Sequence, residues 1–199
     1  MRFIEPLSEN YVIAHFLKHE VESERFGAIC QLLKQDNQPR SLIDNPDLEN
    51  ADENLYRTKA LGDLRGYKQN RDLFQSFPEE VSWGRFGLNP SELEHVRYIE
   101  YSYWNELSGG SRLPLDAASR IWNGGTVLGQ NTKSFLKTAQ ALKEGAKFPE
   151  LILVGSEPNS DLVVLEGHVR LTAYFLAPDL IPQELSVIVG LSTEMRGWM

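Results

Sequence analysis

The sequence predicts an α+β fold, with a helical N-terminal part over residues 1–90 and a strand-containing part over residues 91–199. Two observations carry this reading. Early in the chain, apolar residues recur at helical spacing, as in Val12/Phe16 and Ile13/Leu17. Later the period changes, and the short aliphatic runs Leu151-Ile152-Leu153-Val154 and Leu162-Val163-Val164-Leu165 stand between turn residues, the pattern of buried strands. The chain has 199 residues, 41% hydrophobic and 24% charged. That is enough for a sizeable core and excludes a disordered, collagen-like or disulfide-stapled chain.

In order along the chain, Ser8 is placed to cap a helix opening at Glu9. Phe26, Ile29, Leu32 and Leu33 continue the helical pattern to about Gln35. The polar stretch 36–40 and the acidic stretch 44–53, with Asn45-Pro46, read as turns. Residues 55–74 return to a helical pattern, interrupted near Gly62 and Gly66. Gly87-Leu88-Asn89-Pro90 reads as a joint, after which Ser91 caps a short helix with Glu94 at capping-box spacing. Val96-Arg97-Tyr98-Ile99-Glu100-Tyr101 reads as a strand, being rich in β-branched and aromatic residues. Ser108-Gly109-Gly110-Ser111 is a loop. Thr132 caps a helix bearing Phe135, Leu136, Ala139 and Leu142, which Gly145 ends. After the two aliphatic strands and their turn, Glu157-Pro158-Asn159-Ser160, a helix from about His168 to Leu176 stops before Pro178. Leu185 to Val189 is the last strand.

There are 20 Lys+Arg against 28 Asp+Glu, a net charge of −8. This balance argues against a dedicated duplex-DNA binder and leaves room for a local basic pocket. The single cysteine, Cys30, cannot form an internal disulfide, and this fits a reducing compartment. The N-terminus, Met1-Arg2-Phe3-Ile4-Glu5-Pro6, shows no apolar core of signal-peptide length, and no stretch approaches the ~20 apolar residues of a membrane span. The expectation is a soluble cytoplasmic protein that does not engage a membrane.

The most informative segment is Glu166-Gly167-His168-Val169-Arg170, where a buried strand turns into a helix. Glycine permits a tight turn and close backbone approach. The first N–H groups of the helix lack intrahelical partners and carry the positive end of its dipole. Arg170 falls in the first turn. Together these features describe an anion site suited to phosphate. The same spacing fits an ordinary strand–turn–helix with Arg170 in solvent, and spacing alone does not separate the two.

Over residues 96–192 the order of elements and this motif resemble the N-terminal domain of the ParB/sulfiredoxin superfamily, with Gly167, Arg170 and Ala173 at matching positions. The resemblance implies a ParB/sulfiredoxin-like domain with a small mixed sheet. ParB proteins bind and hydrolyse CTP through a Gly-Glu-Arg-Arg motif, whose middle residues are replaced here by His168 and Val169. Sulfiredoxins place a catalytic cysteine ahead of His-Arg, and this motif has none. The acidic-Gly-His-x-Arg pattern of the superfamily's free-serine kinases is the nearest version. By that likeness Glu166 is a base or metal-adjacent carboxylate, His168 a phosphate contact or proton donor, and Gly167 and Arg170 the phosphate clamp. The likeness also brings Arg112, with Ser111, to the same pocket from the loop after the first strand. It implies a nucleotide with Mg²⁺ as ligand.

Other segments are weaker. Gly124 and Gly129 have P-loop spacing, but Gln130 stands where lysine is required. His15 and His19 lie one helical turn apart without further ligands to complete a metal site. Tyr98, Tyr101, Tyr103 and Trp104 fit core packing better than base stacking. The acidic run Asp44, Asp47, Glu49, Asp52 and Glu53 lacks calcium-loop spacing. The expected function is binding of a nucleotide or phosphorylated small molecule, with phosphoryl transfer or hydrolysis open. The alternative is a non-catalytic interaction module with a protein partner, in a DNA-linked system such as the partition and nuclease-like relatives serve.

Overall fold

A computed structural model describes residues 1–22, 28–124 and 126–198. The expected helical position Phe26 lies outside them. The strands are β1 (Arg2–Pro6), β2 (Ser82–Leu88), β3 (Arg97–Tyr98), β4 (Thr126–Val127), β5 (Gln130–Asn131), β6 (Leu151–Gly155), β7 (Leu162–Glu166) and β8 (Leu185–Leu191). The helices are α1 (Glu9–Glu22), α2 (Ala28–Gln35), α3 (Ser41–Asp44), α4 (Ala51–Arg65), α5 (Pro90–Leu93), α6 (Ser102–Leu107), α7 (Pro114–Trp122), α8 (Lys133–Lys143) and α9 (His168–Leu176). The class is mixed α and β. None of the described helices is long and apolar enough to cross a membrane.

The chain divides into two compact units: residues 6–83 with 198, and residues 1–5 with 84–197 and 199. The first is helical. Ser8 begins α1 as the sequence predicts, its Oγ accepting from Tyr11 N at 3.2 Å, and Val12, Ile13, Phe16 and Leu17 are all buried. Helix α4 begins earlier than expected because Asn50 caps it, accepting from Asp52 N at 3.1 Å and Glu53 N at 3.2 Å. It also runs through Gly62 without a break and stops at Gly66, which takes the left-handed conformation (φ 86°). Arg57 knits this unit together. Its side chain is 1% exposed and donates to Leu42 O at 3.0 Å, Asp47 O at 2.7 Å and Asn54 Oδ1 at 2.5 Å, with Glu53 at 3.1 Å as counter-ion.

In the second unit six strands form one mixed sheet in the order β1-β2-β8-β6-β7-β3. β6 runs antiparallel to β7 and parallel to β8, and β3 runs parallel to β7. The two aliphatic runs are thus adjacent, paired strands, as the sequence predicts. Leu151, Leu153, Val164, Val187 and Val189 share one apolar cluster with Leu171, Ala173, Tyr174 and Phe175 of α9. Ile152, Val154, Val163, Leu165 and Ile188, at the alternate strand positions, are buried as well. Helices α7 and α8 both pack on α9.

Several boundaries differ from expectation. β1 and β2 were not expected, and Gly87 and Leu88 lie inside β2 rather than in a joint. Asn89, not Ser91, caps α5 in a reciprocal capping box with Glu92, because Pro90 presets the first helical turn. The strand expected over 96–101 shrinks to Arg97–Tyr98. Thr132 does precede α8 but makes no side-chain cap hydrogen bond.

Arg57→Ala leaves buried carbonyls without their donor and is expected to destabilise the protein by about 3 kcal/mol or more. Lys59→Ala loses the pair with Asp63 (2.9 Å) and a longer one with Asp36 (3.9 Å), both on the exposed Lys59 side chain, and is expected to cost under about 1 kcal/mol. Urea unfolding of both variants checks this, and equal midpoints would contradict the role given to Arg57.

Candidate functional site

The C-terminal end of β7 gathers the residues singled out in the sequence. Burial on both faces of the sheet fixes the register of β7, and this places Glu166 opposite Ile152 at its last position. Gly167 then turns the chain with φ 102°, a left-handed conformation disfavoured for L side chains, and α9 starts at the next residue. A Cβ at Gly167 would stand 2.6 Å from Leu151 Cδ2 and 3.1 Å from Arg170 Nη2. The turn therefore needs glycine for conformation and for space. Leu171 N donates to Gly167 O at 2.8 Å, closing the first helical turn. Gly167, at the N-cap position of α9, has no side chain with which to cap it.

Glu166 and Arg170, one turn apart, form an ion pair around Gly167, with side chains 21% and 13% exposed. Arg170 Nη1 also donates to Pro149 O, at 3.4 Å. His168 lies nearly parallel to Trp104 (centroids 4.7 Å apart, 18° between planes) and to Tyr98 (6.1 Å, 12°). Thr172 Oγ1 donates to His168 O at 2.7 Å, so its contact with the Tyr98 hydroxyl at 2.6 Å takes the tyrosine proton. Burial pushes the Tyr98 phenol well above its ordinary value. Tyr98 is fully buried, and Tyr103 and Trp104 pack partly buried against the core, while Tyr101 is exposed.

The 108–112 loop is laced to β3. Tyr98 N donates to Arg112 O at 2.8 Å, and Arg112 Nε donates to Tyr98 O at 2.8 Å. Gly109 (φ 68°), Gly110 (φ 93°) and Arg112 (φ 62°) all take left-handed conformations. Ser111 is used locally: its Oγ donates to Ser108 O and accepts from Leu113 N, both at 3.1 Å. Ser108, which opens the candidate loop but is not among the expected phosphate ligands, is buried and accepts from Arg112 N at 2.9 Å. The Arg112 side chain is 17% exposed, and its nearest carboxylate is Glu100 at 3.9 Å, itself 70% exposed. Its Nη2 is buried and has no hydrogen-bond partner among the described residues. Burial lowers the Arg112 pKa, Glu100 countering part of the effect.

Both arginines stand near the end of β7, but their anchors lie on either side of it: Arg112 on β3, and Arg170 on the segment entering β6. Two strand spacings, about 10 Å, separate such anchors. Asp161 pairs with Arg97 at 3.5 Å and sits before the first residue of β7, at the end away from Glu166. Among the described residues no group of three His, Cys, Asp or Glu side chains is placed to hold a metal ion. His15 and His19 do meet, edge to face, with centroids 4.5 Å apart. A pocket of about 270 Å³ opens at the far end of β7, lined by Leu88, Glu92, His95 and Asn159 among others. Of the P-loop-like pair, Gly124 precedes the short β4–β5 hairpin and Gly129 lies in its turn, and helix α7 rather than a strand of the six-stranded sheet leads into it. The chain matches no protein-family model, no curated protein and no solved structure. The ParB/sulfiredoxin resemblance therefore stands on the sequence order and the motif alone.

Gly167→Ala and Gly110→Ala separate conformation from packing. Both positions have positive φ, but nothing lies within 4 Å of a Cβ at Gly110, whereas Leu151 is 1% exposed and has little room to yield. Gly167→Ala is expected to cost at least about 1 kcal/mol more than Gly110→Ala in thermal unfolding. Equal costs would mean that the turn is not tightly packed.

Proposed function

We propose that the end of β7 and the start of α9 bind a nucleotide or another phosphorylated small molecule. The observation that carries the reading is Arg112, a mostly buried cation with one buried donor nitrogen unpartnered among the described residues and only an exposed carboxylate nearby. A buried charge without a close counter-ion is costly, and an anionic ligand offsets that cost. The start of α9, with glycine at its N-cap position, adds backbone donors and positive potential at the end of the neighbouring strand. Gly167 and Arg170 complete the phosphate-binding set, and the likeness of 166–170 to the acidic-Gly-His-x-Arg pattern points to the same ligand chemistry.

The geometry favours binding over turnover. Glu166, the base that the resemblance implies, is committed to Arg170, and His168 is stacked on Trp104. Catalysis requires Glu166 to leave Arg170 when ligand enters. Mg²⁺, where it takes part, arrives on the ligand's phosphates.

A thermal-shift panel of nucleoside mono-, di- and triphosphates, with and without Mg²⁺, tests the reading. A ligand at a hundredfold excess over Kd is expected to stabilise the fold by about 2.7 kcal/mol. Arg112→Ala is expected to weaken that ligand roughly tenfold, the scale of one charge-assisted contact. A panel without any shift, or an Arg112→Ala protein that binds like the wild type, would defeat the proposal.

A further inference from the structure

We infer that Glu166 is a tethered competitor, an internal anion that holds Arg170 until a ligand long enough to cross the end of β7 displaces it. The inference rests on the phosphate-site reading above. It starts from the unequal state of the two arginines. Arg112 has only the long pair with the exposed Glu100, at 3.9 Å, whereas Arg170 has a close, partly buried partner in Glu166. The competing carboxylate is on the same chain, four residues away, so its effective concentration at Arg170 is high.

Gly167 is what lets the two side chains meet. Arg170 Nη2 and Nε pass 3.1 Å and 3.4 Å from where a Cβ would stand, so the guanidinium folds back over the turn toward Glu166. Its hydrogen bond to Pro149 O, at 3.4 Å, is long. The carboxylate is the stronger hold, because there both partners are ionised, whereas Pro149 O is a neutral acceptor at long range.

The anchors of the arginines lie on opposite sides of β7, about two strand spacings apart. An orthophosphate ion is smaller than that spacing and is expected to settle at Arg112 with Glu166 still on Arg170. A chain of phosphates reaches across, and its far end must exchange with Glu166. Glu166 thereby decides which anions gain the second arginine.

Calorimetric titration of the full chain with inorganic tripolyphosphate and with orthophosphate, at low ionic strength, tests this. Glu166→Gln is expected to tighten tripolyphosphate roughly five- to tenfold, the scale of one partly exposed ion pair, and to change orthophosphate less than about twofold. Arg170→Ala is expected to weaken tripolyphosphate several-fold more than orthophosphate. Binding by Glu166→Gln alone, with a silent wild type, also supports the competitor. Equal tripolyphosphate affinity in wild type and Glu166→Gln overturns it while leaving the phosphate site standing. Equal tightening of both anions overturns the two-sided geometry. Failure of every protein to bind either anion overturns the site and the competitor together. Should Glu166→Gln lose the wild-type near-ultraviolet dichroism, Glu166→Asp replaces it. One methylene shorter, it holds Arg170 less well and is expected to show a smaller gain in the same direction, and no gain overturns the inference.

Discussion

The left-handed turn at Gly167 is the constraint on which the candidate site depends. β7 is pinned by burial on both faces and α9 by its apolar side, so neither can shift to relieve a strained junction. Only a residue without a Cβ takes φ 102° there with Leu151 packed against it. From that one conformation follow the direction of the α9 N-terminus, the position of His168 beside Trp104, and the closure of Arg170 onto Glu166.

Around this turn the polar groups divide into two sets. One holds the architecture: the Tyr98 hydroxyl, Thr172 and the His168 carbonyl form a buried hydrogen-bond relay between β3 and α9. The other is charged and lies on both sides of β7, with Arg112 short of a counter-ion and Arg170 supplied with one. In a chain of net charge −8, a mostly buried cation whose carboxylate partner is exposed and 3.9 Å away departs from the general balance. The departure is local, and it falls at the strand end where the helix dipole has the same sign.

The parts of the fold legible in the sequence are those whose local signal agrees with their burial. β6, β7 and α9 stand at their expected places because continuous aliphatic runs and a glycine-to-proline span leave few alternatives. β1 was not legible because all five of its residues are exposed and carry no alternating pattern. β2 was hidden by Gly84 and Gly87, which read as turn signals yet serve close packing: a Cβ at Gly84 would stand 3.0 Å from the Phe86 ring. Within the site, the spacing of Glu166 and Arg170 already permitted an i,i+4 ion pair, but the phosphate reading assigned the two residues to separate tasks. The stacking of His168 on Trp104, and the use of Ser108 rather than Ser111 to hold Arg112, depend on tertiary contacts between segments about sixty residues apart or on a loop conformation that composition does not encode.

The most direct test of the account is a nuclear magnetic resonance titration of the ¹⁵N-labelled protein with the nucleotide that stabilises it most. The account predicts that the largest changes fall on the backbone amides of His168, Val169 and Arg170 and on the Arg112 Nε–H. Changes concentrated instead around Glu92, His95 and Asn159, at the far end of β7, would contradict it.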